Sequence, residues 1–400
     1  MAKIKTKKPS PVVRIVDWRN LTRMDWFMPI IVLILAIIGW VTLYSATEIQ
    51  YESYFVTRQM AAFGIGVLIA ALILCTDYRF VVALAPIMYL AILVMLYATL
   101  SADAIKGSSR WLNLGPVSIQ PSELSKFVMV YVLAWYFNFV GDRIKKLPFV
   151  ILTFVIAGPP ILLILGQPDL GTAVCLIPLT GIMLFLAGSR IWHLVFLVLA
   201  GIVVLLPFVY FQIHDFDPNP KLRSTMIEAA GPYDLKYHQK KRIHSFLFAD
   251  EGDNDGDYQQ IQSTIAVGSG GLKGKGFQQG TQTRLSYLPY HYTDFIFAHY
   301  AEERGFVGCA ILMCLYAALL LRGLMFAREC PDMMGTQLAV GVIVILTYHS
   351  VINIAINIDL LPVTGLPLPF MSWGRTFYLT TMACIGILLS VPMRKNAFVY

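Results

Sequence analysis

The sequence is poor in charged residues. Only 14% of its 400 residues are Asp, Glu, Lys or Arg, whereas about a quarter is usual in soluble domains. Hydrophobic residues make up 57% of the chain, and the mean hydropathy is +0.65. The hydrophobic residues are concentrated in about ten apolar runs. The length of each run is close to the ~20 residues that span a bilayer. A soluble core would account for one or two such runs, so a soluble globular protein is excluded.

The runs predict an all-α polytopic membrane protein with about ten transmembrane helices. The chain divides into a basic tail (1–25), seven spans (26–211), one long loop (212–294) and three spans with a short C-terminal tail (295–400). The predicted spans are Trp26–Ala46, Phe55–Cys75, Phe80–Leu100, Ile119–Val140, Phe149–Leu165, Leu170–Ala187, Ile191–Phe211, Phe295–Gly323, Gly335–Ile356 and Phe377–Met393.

Several other signals are missing. The apolar run after the basic N-terminus is too long for a signal peptide and lacks a small-x-small cleavage site, so we expect the first span to be retained. The six cysteines form no C-x-x-C motif and are expected to be small packing residues. There is no Walker phosphate loop, no repeat of 20–50 residues and no clear inverted repeat of the transporter kind.

The distribution of cations predicts the orientation. With the N-terminus in the cytoplasm and ten alternating spans, most Lys and Arg fall on the inside. The short outside loops then hold only Arg58, Lys106, Arg110 and Arg375. This asymmetry satisfies the positive-inside rule. It predicts that both termini are cytoplasmic and that the loop 212–294 is extracytoplasmic, with short helices at the membrane surface in its second half.

Breaks in the apolar runs predict a cavity. Gly115-Pro116 and Gln167-Pro168 interrupt helical patterns, and Leu361–Gly374 contains three prolines that exclude a continuous helix. Irregular backbone at membrane depth is tolerated only inside protein or beside water. All three breaks fall on the outside, so we expect them to frame one outward-facing cavity.

Polar groups near these breaks each allow two interpretations. Glu123 and Lys126 share a helix face, and they form either a structural ion pair or a cavity lining in which Lys126 meets an anionic head group. Asp169 is either a helix cap or a cavity carboxylate. Arg110 precedes Trp111, which is ordinarily an interfacial anchor, while the arginine is suited to grip a phosphate.

The end of the long loop is the densest polar cluster. Its first part, GSGGLKGKGF, places Lys273 and Lys275 among glycines whose N–H groups could approach an anion. Asp294 follows where the loop meets an apolar span. Partial desolvation there would suit a general base, although the same position suits a helix cap. His291 either orients that carboxylate or is merely exposed, and the acidic and basic residues at 302–304 predict an ion-pair network.

Three motifs carry a family resemblance. GSGGLKGKGF, TDFIFAHYAEERG and LLPVTGLPLPF, in this order and spacing, resemble the SEDS family (shape, elongation, division and sporulation) and its elongation branch, RodA, more than its division branch, FtsW. The matching stretches are spread over most of the ten spans. The resemblance therefore covers the membrane domain as a whole.

The resemblance implies a peptidoglycan glycosyltransferase of the bacterial cytoplasmic membrane that serves elongation and cell shape. Such enzymes polymerise lipid II outside the membrane by β-1,4 bonds with inversion, and they release undecaprenyl pyrophosphate. They work beside a class B penicillin-binding protein, and no nucleic-acid partner is implied. Asp294 becomes the expected catalytic base. The expected substrate-binding residues are Arg110, Trp111, Glu123, Lys126, Asp169, Lys275, Gln282 and Ser372.

The sequence departs from the family pattern at two places, and two other functions stay possible interpretations. The family usually reads Ser-Tyr-Gly-Gly where this chain has Ser372-Trp373-Gly374-Arg375, and glycine where it has Asp359. A lipid II flippase would use the same intramembrane charges, and a non-catalytic scaffold for the penicillin-binding protein fits the departures. The long outside loop favours chemistry. A divalent cation such as Mg²⁺ could help neutralise pyrophosphate, although no metal-ligand motif is readable.

Overall fold

A computed structural model describes residues 24–51, 53–101, 110–114, 117–167, 169–196, 198–199, 201, 203, 256–285, 287–330 and 332–394. Most of the predicted basic tail, the first half of the predicted loop 212–294 and the Gly115-Pro116 break lie outside these residues. The predicted span Ile191–Phe211 is described only in part, and residues 191–196 of it are helical.

The described chain is mostly helical. Its helices are α1 (Phe27–Tyr51), α2 (Tyr54–Cys75), α3 (Tyr78–Ala83), α4 (Ala85–Ser101), α5 (Pro121–Val140), α6 (Leu147–Gly166), α7 (Leu170–Leu186), α8 (Gly256–Ser269), α9 (Thr281–Arg284), α10 (Ile296–Glu329), α11 (Met333–Asn357) and α12 (Arg375–Met393). Within the described residues, seven helices are long and apolar enough to cross a membrane, and α4 and α7 are shorter apolar helices. The predicted all-α polytopic membrane fold is confirmed, while the total of ten spans stays a prediction.

Two local features differ from the predicted spans. The third predicted span is two helices, because Asp77 caps the short α3 and a new helix, α4, begins at Ala85 with Pro86 in its first turn. A small antiparallel hairpin, Leu112–Leu114 paired with Val117–Ile119, precedes α5. Neither strand was predicted, since three-residue strands are too short to show an alternating pattern.

Helix α10 bends at Gly305, whose φ of 65° and ψ of −167° interrupt an otherwise continuous helix of 34 residues. The bend frees backbone N–H groups from the helical ladder. Phe306 and Val307 donate instead to the carbonyl oxygens of Gly271 and Leu272, at 2.9 and 3.2 Å. The glycine-rich loop is thereby built into the kink, and α8, which precedes that loop, packs against α10 and α11.

Alternating helix directions bring eight helix ends together. The C-terminal ends of α1, α6 and α11 meet the N-terminal ends of α2, α5, α7, α10 and α12, and we call this the site end of the bundle. Hydrogen bonds join its parts, for example from Gln59 Nε2 on α2 to the Ser372 carbonyl oxygen at 3.0 Å. At the opposite end, Arg79 pairs with Asp332 at 3.2 Å and Arg322 pairs with Asp25.

Candidate active site

Asp294 lies in the turn that leads into α10 at the site end. The N-cap residue of α10 is Phe295, so Asp294 does not occupy the capping position that the sequence had left open. Its side chain is half-buried. An added Cβ on Gly365 would lie 3.6 Å from Asp294 Oδ2, which places the carboxylate beside the irregular Leu361–Gly374 loop.

Two buried asparagines of α11 hold the Asp294 backbone. The carbonyl oxygen of Asp294 accepts from Asn353 Nδ2 at 2.8 Å and from Asn357 Nδ2 at 3.1 Å. Asn353 also donates to the Leu366 carbonyl oxygen at 2.7 Å. Sequence reasoning missed both residues. The available signal was a pair of amides four residues apart in an apolar span, since each buried polar group in a membrane helix needs a reason.

Ser372 fixes the same region from the other side. Its hydroxyl donates to the Thr293 carbonyl oxygen at 2.6 Å and accepts from the Leu368 backbone N–H at 2.8 Å. The backbone N–H of Trp373 donates to the Tyr292 carbonyl oxygen at 2.9 Å. Ser372 is fully buried, and these hydrogen bonds stabilise the loop that supports Asp294. Its contact with substrate stays a prediction.

Glu123 and Lys126 form an ion pair of 2.7 Å that is almost completely buried. Lys126 Nζ also lies 2.7 Å from His349 Nε2, and His349 Nδ1 lies 3.1 Å from the Pro367 carbonyl oxygen. A lysine ammonium only donates, so His349 accepts through Nε2 and donates through Nδ1. The pair therefore extends, through His349, to the loop beside Asp294.

Asp169 is both the cap of α7 and part of a polar cluster. Its carboxylate accepts from the Thr172 backbone N–H at 3.3 Å, from Ser122 Oγ at 2.9 Å and from Gln120 Nε2 at 3.3 Å. These bonds tie α7 to the start of α5. The structure confirms the capping interpretation, and the side chain is buried rather than open to a cavity.

Arg110 and Trp111 lie at the edge of this cluster. Arg110 Nε donates to the Gln167 carbonyl oxygen at 3.1 Å. The arginine is only partly buried, and Trp111 remains 40% exposed. Both side chains are thus accessible at the site end, and their predicted roles in substrate binding stay predictions.

The glycine-rich loop does not form the anion cradle that its sequence suggested. The N–H groups of Gly274, Lys275 and Gly276 donate to the carbonyl oxygens of Gly270, Glu302 and Glu303, at 2.8, 2.9 and 3.1 Å. The backbone of this loop lies directly against the backbone of α10, so there is no room for a side chain at the contact positions. An added Cβ on Gly274 would lie 2.1 Å from the Glu303 carbonyl oxygen, so these glycines serve the close approach of loop and helix.

Lys275 and Gln282 converge on Glu302. Glu302 Oε1 accepts from Lys275 Nζ at 2.6 Å, from Thr281 N at 2.8 Å and from Gln282 N at 3.2 Å. Glu302 is fully buried, so the carboxylate organises the loop around α9. The predicted ion-pair network is present here and includes Lys275, whose role in substrate binding stays a prediction.

The other residues of the predicted network have different roles. Glu303 accepts from Ser45 Oγ and from the Gln278 backbone N–H, whereas the Arg304 guanidinium lies 5.8 Å from the centroid of the Phe277 ring. His291 is buried and lies 2.7 Å from the Leu288 carbonyl oxygen and 2.9 Å from that of Ala46. It is therefore not exposed, and each of its ring nitrogens lies against a backbone carbonyl oxygen.

Two cavities open near these clusters. One, of about 710 Å³, is an apolar groove between α2, α5 and α12 whose lining includes Arg58 and Arg375. The other, of about 420 Å³, is polar and lies between α1, α10 and the 277–284 segment. Among the described residues, no cluster of three or more His, Cys, Asp or Glu side chains is arranged to hold a metal, so the predicted divalent cation stays a prediction.

Comparison with known proteins gives the family. The family model of the FtsW, RodA and SpoVE proteins, described as "Cell cycle protein", matches residues 25–397. The chain belongs to the SEDS family. The predicted membership is confirmed, and the predicted enzyme class, peptidoglycan glycosyltransferase, is confirmed at the level of the family.

Individual SEDS relatives match over nearly the whole chain. Peptidoglycan glycosyltransferase MrdB of Escherichia coli K12 is 32% identical over 378 residues, covering 93% of this chain and 94% of MrdB. Stage V sporulation protein E of Bacillus subtilis 168 is 34% identical over 383 residues, covering 92% and 97%.

Solved structures of similar chains have the same fold. RodA of Thermus thermophilus superposes with a TM-score of 0.65 at 26% identity, covering 94% of this chain and 99% of RodA. A chain of a peptidoglycan synthase complex that coordinates polymerization and crosslinking superposes with a TM-score of 0.75 at 28% identity, covering 93% and 98%. The SEDS fold is therefore shared over more than nine tenths of this chain.

Proposed function

We propose that this SEDS protein polymerises lipid II into β-1,4-linked glycan strands at the outer face of the bacterial cytoplasmic membrane. The observation that carries the proposal is the fixed position of Asp294. Its backbone is held by Asn353 and Asn357, and its neighbour Thr293 is held by Ser372. Such rigid support is what a catalytic group requires, because small displacements from the productive geometry cost rate.

The proposed chemistry is an inverting glycosyl transfer. Asp294 takes the proton from the 4-hydroxyl of the acceptor sugar, and that oxygen attacks the anomeric carbon of the donor. The bond from that carbon to the pyrophosphate oxygen breaks, and undecaprenyl pyrophosphate leaves. A well-placed base contributes about 10²–10⁴-fold to such a rate.

Charge neutralisation of the leaving group falls to accessible cations. Arg110 lies at the site end and is only partly buried. Lys126 and Lys275 are engaged with Glu123 and Glu302, so their contribution to pyrophosphate binding requires those pairs to rearrange. The apolar groove between α2, α5 and α12, with a volume of about 710 Å³, has a lining that suits part of a polyprenyl chain.

An elongation role and a transpeptidase partner complete the proposal. The support is the likeness to MrdB and RodA and to a chain of a synthase complex that couples polymerization to crosslinking. A class B penicillin-binding protein is the proposed partner. By the positive-inside rule, the site end faces outward.

The test is polymerisation of lipid II by the purified full chain, with and without a co-purified penicillin-binding protein. We expect the wild type to form glycan and Asp294→Asn to lose at least about 100-fold in rate. Asp142→Asn, an exposed aspartate at the opposite end, is the matched control and should retain full activity.

Full activity of Asp294→Asn would remove the general-base assignment. Movement of fluorescent lipid II across vesicles without polymer would instead identify a flippase. An intact complex with the penicillin-binding protein but no glycan product would identify a scaffold.

A further inference from the structure

Among the described residues that line the apolar groove, two are positively charged and none is negatively charged. These two are Arg58 and Arg375, and the other described lining residues are mostly aliphatic or aromatic, such as Ile65, Phe127 and Leu379. A wall of this kind favours hydrocarbon. The groove therefore suits a ligand that combines an apolar chain with an anionic group, which the two guanidinium groups can bind.

Both arginines are available for binding. Arg58 is exposed, and its guanidinium lies 4.2 Å from the centroid of the Tyr54 ring, which orients it without neutralising it. Arg375 is partly exposed at the first position of α12. Among the residues that the structure describes, the ion pairs include neither arginine.

The charge lies next to the proposed catalytic region. Gln59, which follows Arg58, donates to the carbonyl oxygen of Ser372, and Ser372 donates to that of Thr293 beside Asp294. Arg375 is three residues beyond Ser372. The N-terminal end of α12 adds its partial positive charge at the same place, and its N-cap residue Gly374 has no capping side chain.

We propose that Arg58 and Arg375 bind the phosphate groups of a polyprenyl pyrophosphate whose hydrocarbon chain lies in this groove. The proposal rests on the proposed function. It also gives a role to one departure of this chain from the family pattern, because Arg375, at a position where the family resemblance leads one to expect glycine, supplies a second phosphate ligand. Guanidinium groups bind phosphate by paired, charge-assisted hydrogen bonds, which a glycine cannot offer.

The experiment measures binding rather than catalysis. The purified full chain in nanodiscs is titrated with undecaprenyl pyrophosphate at low and high salt, with phosphatidylglycerol as a competitor. The variants are Arg58→Gln, Arg375→Gln, Arg375→Lys and the double Gln variant. Arg328→Gln, which removes an equal charge from an exposed site at the opposite end, is the control.

We expect each Gln variant to weaken binding about tenfold and the double variant about 100-fold, since hydrogen bonds between charged groups contribute at this scale. Arg375→Lys should lose less than Arg375→Gln, and Arg328→Gln should match the wild type. Wild-type affinity in the double variant, or equal competition by phosphatidylglycerol, would overturn the proposal. Arginine-dependent binding in a wild type that makes no glycan would support this site while rejecting the polymerase function.

Discussion

The side-chain amide of Asn353 donates to the carbonyl oxygen of Asp294 at 2.8 Å. The same amide donates to the carbonyl oxygen of Leu366 at 2.7 Å. One buried side chain thus joins the turn that carries the proposed base to the irregular loop that faces it. Both carbonyl groups have a donor at membrane depth, where an unpaired one would be costly.

Asn353→Ala should uncouple this turn from the loop. Each buried carbonyl left without a donor costs about 1–3 kcal/mol, and the Asp294 backbone loses its shorter bond to α11. We expect kcat for lipid II polymerisation to fall at least about tenfold, with KM changed less, because the substrate pocket remains while the base is misplaced.

Ser350→Ala is the control for this variant. Its hydroxyl is bonded to the Leu346 carbonyl oxygen within the same helix, at 2.9 Å, so its loss leaves the loop untouched. If Asn353→Ala lowers the melting temperature but keeps the wild-type kcat, Asn353 is structural and does not position Asp294.

The Glu123–Lys126 pair should behave as a buried ion pair. Lys126→Met leaves the Glu123 carboxylate buried without its cation, and we expect the free energy of unfolding to fall by about 3–5 kcal/mol. The double variant Glu123→Gln with Lys126→Met removes both charges and should recover much of that loss.

Thermal unfolding in detergent measures both variants of this pair. A second readout, binding of undecaprenyl pyrophosphate, separates the two interpretations of Lys126. Recovered stability together with unchanged binding would show that the lysine is structural, whereas recovered stability with lost binding would make it a phosphate ligand.

Gly274→Ala should detach the glycine-rich loop from α10. Gly274 has a φ of +81°, and an added Cβ would lie 2.1 Å from the Glu303 carbonyl oxygen, so the backbones must separate. We expect faster trypsin cleavage at Lys273 and Lys275 and a lower melting temperature.

Gly268→Ala is the matched substitution near the end of α8, because an added Cβ there meets no atom within 4 Å. Alanine has a higher helix propensity than glycine, so this variant should keep or slightly raise stability. Equal protease sensitivity in the two variants would contradict the role given to Gly274.

Cysteine labelling should reveal which end faces outward. Lys273→Cys is exposed at the site end, and Lys145→Cys is exposed at the opposite end. In a background without the native cysteines, an impermeant maleimide added to intact spheroplasts should label the first and not the second. Labelling of Lys145→Cys alone would invert the topology and place Asp294 in the cytoplasm.

Helix positions were predictable because apolar length is a property of the sequence alone. The runs from Phe55 to Cys75 and from Gly335 to Ile356 correspond closely to α2 and α11, since a bilayer span requires ~20 consecutive apolar residues. The irregular Leu361–Gly374 loop was also predictable, because proline cannot donate within a helix. The motifs around Asp294 were sufficient to indicate the family.

Partners of polar groups were not predictable in the same way. The glycines near Lys275 permit both an anion cradle and a tight backbone contact, and only the position of the α10 kink decided for the contact. His291 could not be matched with the Ala46 carbonyl oxygen, nor Lys126 with His349, because those partners lie on helices distant in the chain.

By itself, then, the sequence determined that this protein is a multi-pass α-helical SEDS protein with Asp294 at the mouth of its eighth predicted span. Only the tertiary structure decided that Asn353 and Ser372 hold that region and that Arg58 and Arg375 share one groove. The physical reason is that hydrophobicity accumulates along consecutive residues, whereas a hydrogen bond or a shared cavity depends on which helix ends come together.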